Sequence, residues 1–368
     1  MYSLFGNLKS FVKPQSVTID SVFCKLHYRV AVMVLLAFSI LVTATQHFGD
    51  PIKCVPTGAS IPTDMLEAWC LIHSTFTVKT AWNLTVGTHV IYPGVDKTPV
   101  DAKTERIKTD ELVYHTYYLW VPFVLFFMSI TFYIPRFIWK TNENGRIKAL
   151  TAGLNAAIVP PELKENGLNV IVSFFKQNLH NNNGLFATYV SCELLYFVNV
   201  ILQMYFMNRF LGGAFMSYGW DVITFTDWSP AISDDPFRRV FPTLTKCRFR
   251  FGGSSGDFNV HDTLCLLPIN ILNEKIFVFI WFLYWILLLL TLMAIVYRVI
   301  TIAVPFSRTL ITASHCFPNC RNDVDRIIRN CNVGDWFMLH LLSVNISRSN
   351  FSEFIEKYSE KLEMTKIE

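Results

Sequence analysis

The residues best suited to covalent chemistry in this 368-residue chain are its nine cysteines. Cys54 and Cys70 form one set, and Cys247 and Cys265 another. Two plus two is the pattern of two disulfides in an oxidising compartment. Four cysteines allow three pairings, and spacing does not choose among them. Cys24, Cys316, Cys320 and Cys331 fall elsewhere, and Cys192 lies within an apolar run. His315 with Cys316, Cys320 and Cys331 is a metal-ligating mix, but C-x3-C is loose for zinc. These four read as reduced cytosolic thiols and a histidine, so no metal is expected. His261-Asp262 sets a base beside an acid, yet adjacency along the chain is not a catalytic geometry. There is no P-loop, G-x-S-x-G or H-E-x-x-H. Neither an enzyme nor a cofactor is expected.

Two further residues stand out. Glu193 is an ionisable group inside an apolar stretch, roughly 12 Å from its near end by helix rise. Such a residue is functional by default, or is paired with a charge or donor at similar depth. His27 and Arg29 are the candidate partners. Asn83-Leu84-Thr85 is an N-glycosylation sequon. Asn345-Ile346-Ser347 and Asn350-Phe351-Ser352 also match but are expected in the cytoplasm, unmodified.

The elements that hold these residues follow from composition. The chain is 52% hydrophobic and 16% charged, against about 25% charged in an ordinary soluble domain. A formal charge of +4 gives no reason to expect nucleic-acid binding. The first 25 or so residues show no apolar core of a signal peptide, so the first span is expected to direct insertion. A membrane-crossing helix needs roughly 20 apolar residues, and four runs qualify. The expected division is an N-terminal segment 1–27, spans 28–45, 118–139, 185–211 and 276–297, connecting segments 46–117, 140–184 and 212–275, and a tail 298–368.

Four spans place both termini on one side. Lys25, Arg29, Arg136, Lys140, Arg146, Lys148, Lys176, Arg298 and Arg308 flank the spans on that side, against Lys53, Lys103, Arg106, Lys108 and Lys275 on the other. The positive-inside rule then makes both termini cytoplasmic. The cysteine sets fall outside by the same count. The two outer segments are too long for simple connectors, so they are expected to share one small α/β domain stapled by disulfides. KCRFRF (Lys246 to Phe251) alternates like a strand, and GGSSG (Gly252 to Gly256) reads as a turn. The cytoplasmic parts read as helical. Asn350 followed by Glu353 resembles a capping box, and Phe351, Phe354, Ile355, Tyr358 and Leu362 share one helix face. The fold class is therefore an all-α membrane protein. It has a four-transmembrane-helix bundle, a disulfide-stapled α/β extracellular domain and a helical cytoplasmic domain.

The stretch YYLWVPFVLFF (Tyr117 to Phe127) opens the second span. Tyr117, Tyr118 and Trp120 read as membrane-interface anchors. Pro122 reads as a kink near the outer end of the span, joining it to the extracellular domain. Ser39, Thr43, Ser129, Thr131 and Asn199 suit helix packing or a wet pore.

These stretches resemble a known family. GDPIKC (Gly49 to Cys54), YYLWV (Tyr117 to Val121), VFPTLTKC (Val240 to Cys247), HDTLC (His261 to Cys265), NEKIFVFIWF (Asn273 to Phe282) and GDWFMLH (Gly334 to His340) follow in the order seen in the innexins, the invertebrate gap-junction proteins. The resemblance covers nearly the whole chain and is strongest to insect members, with an insect-virus origin also open. One departure is Leu119, where the family signature has glutamine. The resemblance implies a plasma-membrane channel in a closed ring of about six to eight subunits, leaning to eight, alone or mixed with other innexins. It implies docking onto a matching half-channel of an adjacent cell, and contact with membrane lipids. It further implies that Met1, Tyr2, Ser3 and Phe5 fold into the pore mouth, and that the first span, with Ser39 and Thr43, lines the pore. It implies pairing of Cys54 with Cys265 and of Cys70 with Cys247. Two other readings fit the same residues. One is an undocked hemichannel, favoured if a glycan on Asn83 hinders docking. The other is a four-span adhesion or scaffold protein without a pore.

Overall fold

A computed structural model describes residues 17–56, 62–100, 107–154, 156, 160–225, 235–252, 256 and 258–367. Four helices in it are long and apolar enough to cross a membrane: α1 (Val22–Phe48), α2 (Val121–Glu143), α3 (Asn183–Phe210) and α4 (Pro268–Ala303). Large apolar side chains stay exposed along them, among them Ile40, Phe127, Leu202, Leu289 and Met293. Apolar surface on this scale is what a lipid or protein neighbour covers. Local chemistry sets the helix ends. Ser21 Oγ accepts the Cys24 N–H at 3.3 Å to cap α1. α4 starts on Pro268, whose missing N–H has no partner to lose there. It stops at Val304, because the residue before Pro305 is driven out of the helical region (φ −112°, ψ 102°).

The chain forms two compact units. One comprises Thr131–Asn199 and Leu287–Glu368 with the described residues up to Val30. Its apolar core gathers Trp139, Ile171, Phe175, Trp336, Phe354 and Tyr358. The helix Arg348–Ile367 buries Phe351, Phe354, Ile355 and Tyr358 against this core, and it packs on the helices Pro161–Gln177 and Arg321–Asn330. The helix Val333–Asn345 opens on a capping box of Asn332 and Asp335. Gly334 lets that turn close on the chain at Asn182, where a Cβ would lie 2.5 Å from backbone atoms.

The expected capping box at Asn350 and Glu353 is corrected. The helix starts at Arg348, so Asn350 lies inside it. Ser347 Oγ instead accepts the Asn350 N–H at 3.4 Å. The Asn350 amide donates to Leu154 O at 3.1 Å, and Glu353 pairs with Lys164 at 2.6 Å. Tertiary partners outcompete the local cap.

The second unit is Ala31–Ile130 with Val200–Ile286. It holds a five-stranded antiparallel sheet of order β1-β5-β4-β2-β3, made of Lys53–Cys54 (β1), Thr75–Val78 (β2), Leu112–His115 (β3), Leu244–Gly252 (β4) and Phe258–Leu266 (β5). Register sets the faces. Cys54 opposes Cys265, and Cys247 opposes Thr263. Side chains alternate along a strand, so Cys54, Cys247, Phe249 and Cys265 share one face. That face packs with Leu66 and Cys70 of the helix Thr63–His73. Lys246, Arg248 and Asp262 take the other face.

Candidate functional site

Two disulfides join the segments that follow α1 and α3. Cys54 bonds Cys265 (S–S 2.02 Å) across β1 and β5, and Cys70 bonds Cys247 (1.97 Å) between helix and β4. The bridges adjoin: sulfurs of Cys54, Cys70 and Cys265 lie within 4.8 Å of one another. They are bonded to carbon and sulfur, so that cluster offers no thiolate to a metal. The bridges close loops of 211 and 177 residues. Cross-links of such span act mainly by constraining the unfolded chain.

The opposite face of the sheet is held by charge. Arg248 Nε donates to Asp262 Oδ1 at 2.8 Å, and Lys246 Nζ lies 3.5 Å from Oδ2. Thr98 Oγ1 also donates to Asp262. Burial pushes the Asp262 carboxyl up, but the hydrogen bonds from Arg248 and Thr98 and the two positive charges outweigh it and hold it below its ordinary range. Asp262 is thus a structural anion, and His261 beside it has no catalytic geometry with it.

Tyr117 and Tyr118 are core residues here, which corrects the expectation that they anchor at the membrane surface. Tyr118 is 1% exposed. Tyr117 meets Phe241 edge-on at 5.4 Å between centroids and donates to Val240 O, while Tyr118 donates to Cys70 O at 3.3 Å. Buried aromatics with a polar tip need such partners. Trp120 differs, being 62% exposed.

Pro122 is also corrected. α2 begins at Val121, so Pro122 is its second residue and lies inside no helix that it could kink. The first four N–H groups of a helix have no intrahelical partner, so proline costs nothing there. The interior proline of α2 is Pro135. Ser39, expected to line a pore, is buried, and its hydroxyl donates to Pro122 O at 2.8 Å. It is a contact between α1 and α2. Thr43 is exposed and donates back to Ser39 O at 2.8 Å. Leu119 is half-buried in a crevice with Gln46, whose amide donates to Tyr118 O at 2.8 Å. Met1, Tyr2, Ser3 and Phe5 lie outside the described residues.

Glu193 is paired, but not with His27 or Arg29. Arg298 grips it through two bonds of 2.8 Å, Nε to Oε2 and Nη2 to Oε1. The guanidinium stacks over Tyr189 at 4.9 Å. A planar fork on a carboxylate is the strongest form of this bond. His27 bonds Thr291 Oγ1 at 2.7 Å instead.

Other buried polar groups complete each unit. Arg136 pairs with Asp20 and lies over the Tyr28 ring at 4.8 Å. Gln203 bridges Tyr284 (2.6 Å) and Met128 O (3.1 Å). Arg136 and Arg298 look like ordinary flanking cations in the sequence. The available signal was a carboxylate of opposite sign at similar depth, Asp20 for one and Glu193 for the other.

Asn83 ends a short 3-10 turn and is exposed. Cys316 and Cys320 are buried, and burial pushes the Cys316 thiol up to about 12. Burial, with the nearby Asp335 charge, pushes Cys331 to about 12 as well. Cys316 and Cys331 are thus positioned to stay protonated and inert.

Comparison with known proteins identifies a family. The innexin family model matches residues 20–362. The chain is 42% identical to innexin inx2 of Schistocerca americana, over 100% of both chains. It is 41% identical to innexin inx2 of Drosophila melanogaster, covering 98% of this chain and 96% of that one. It is 38% identical to Drosophila innexin shaking-B, covering 98% and 95%. With a family match across nearly its full length and relatives of this similarity, the chain belongs to the innexin family.

Proposed function

We propose that this innexin is a gap-junction channel subunit that passes ions and small metabolites by diffusion between adjacent cells. Selectivity in such a channel is set by pore width and lining charge. The observation that carries the reading is the sheet. It draws strands from both long connections, after α1 and after α3, and two disulfides tie them into one body. With four spans these connections fall on the same side of the membrane. A rigid platform there suits rim-to-rim docking. In this reading the platform is extracellular, both termini are cytoplasmic, and the unit rich in short helices is the cytoplasmic domain. The protein sits in the plasma membrane as a closed ring of about eight copies, alone or with other innexins. The innexins are channel proteins, and the reading assigns this chain no catalytic step.

The exposed Asn83 sequon favours one second reading, a hemichannel that opens to the outside because a glycan obstructs docking. Single expressing cells bathed in low calcium and depolarised test the pore itself. A channel of either kind carries current there. No current from surface-expressed protein would point to a four-span adhesion protein instead. A view of the purified particle down its axis gives the subunit number.

A further inference from the structure

The end of α2 turns a corner that leaves a cleft. Asn144 (φ 51°) and Gly145 (φ 75°) are both left-handed, and the short helix Arg146–Leu150 follows at once. With Val17 and Ile19 this corner lines an open cleft of about 410 Å³. Ligand pockets start at roughly 300 Å³. Its charged lining is Arg136, Lys140, Glu143 and Lys148.

These charges differ in what they already hold. Arg136 is engaged with Asp20 and the Tyr28 ring. Both Glu143 oxygens accept backbone N–H groups, from Gly145 at 2.9 Å and Ile147 at 2.7 Å. Lys140 and Lys148 are exposed, and among the described residues neither ammonium group has an ion-pair or hydrogen-bond partner. Two uncommitted ammonium groups therefore face one carboxylate that is buried and already bonded. The cleft is net positive on one wall and apolar, through Val17 and Ile19, on another.

That combination, at the end of a spanning helix, matches an amphiphile with an anionic head. Basic pockets at the cytoplasmic ends of spans take acidic lipid headgroups for this reason. The geometry points to a site for the phosphate-bearing headgroup of an anionic phospholipid from the cytoplasmic leaflet, gripped by Lys140 and Lys148. A free phosphate would use the lysines but leave the apolar wall unoccupied, so the lipid is the better fit. The inference rests on the reading that this end of α2 is cytoplasmic.

The test uses the full chain in detergent micelles and a fluorescent phosphatidylinositol phosphate. Wild type binds it, and Lys140→Gln with Lys148→Gln weakens binding roughly tenfold or more. Lys140→Arg with Lys148→Arg retains binding. Lys176→Gln, exposed and outside the cleft, also retains it, and excess inorganic phosphate does not displace the lipid. Unchanged binding by the double glutamine variant would overturn the site, provided its unfolding temperature matches wild type. An equal loss from Lys176→Gln would reduce it to diffuse surface charge, and full displacement by phosphate would replace the lipid with a free anion. Access of an impermeant amine label to Lys140 only from outside the cell would remove the topology on which it rests. Binding needs no pore, so a failure of channel activity would leave this result standing and count against the functional reading alone.

Discussion

Glu193 and Arg298 form a buried pair whose two members depend on each other. Removing one partner leaves an uncompensated charge, a loss of about 3–5 kcal/mol in comparable buried pairs. Glu193→Gln is therefore expected to lower the unfolding temperature of the purified chain sharply. Adding Arg298→Met should recover part of the loss. An unchanged midpoint for Glu193→Gln would contradict the pairing. Asp262 gives a pH test outside the membrane. Its carboxyl is held below its ordinary value in the fold, so its stabilisation is full above the unfolded value of about 4. It is lost as the pH falls through the lower folded value. Wild type should lose stability in that acid window more steeply than Asp262→Asn, as followed by tryptophan fluorescence. Equal acid profiles would refute the ion cluster. The sequence marked Glu193, because a carboxylate within an apolar run is conspicuous. It could not name Arg298, since depth on a neighbouring helix depends on where that helix starts and ends, and α4 runs to Ala303.

Elements read well wherever periodicity was strong. The alternation in KCRFRF marks β4, and register then puts Cys247 and Phe249 on one face and Lys246 and Arg248 on the other. Four apolar runs became four long helices. The failures lie at boundaries. Tyr117 to Trp120 precede α2, so Tyr117 and Tyr118, which looked like the top of a span, pack instead against Phe241 and the chain at Cys70. The same shift moves Pro122 from a helix interior to a first turn. Pro122→Ala is accordingly expected to change stability by no more than about 0.5 kcal/mol and to leave assembly intact, as read by thermal unfolding and size-exclusion chromatography. A large loss of either would restore the kink. At Asn350 a local capping pattern gave way to a partner 196 residues distant, Leu154, which no window on the sequence contains.

At the scale of the molecule, the cysteine count and the charge bias both pointed to one topology, and the family resemblance implied the pairing that spacing left open. Two connections become one disulfide-tied sheet, while buried pairs such as Glu193–Arg298 and Asp20–Arg136 tie together the other unit. The pore mouth was read only from resemblance, and its residues before Val17 lie beyond what is described. The claim on which all of this converges is cell-to-cell passage. Paired cells that both express the chain should show junctional current and transfer of a small dye, each absent when only one cell expresses it and its neighbour has no innexin. Surface-expressed protein that leaks dye into the medium yet never couples the pair would contradict the account.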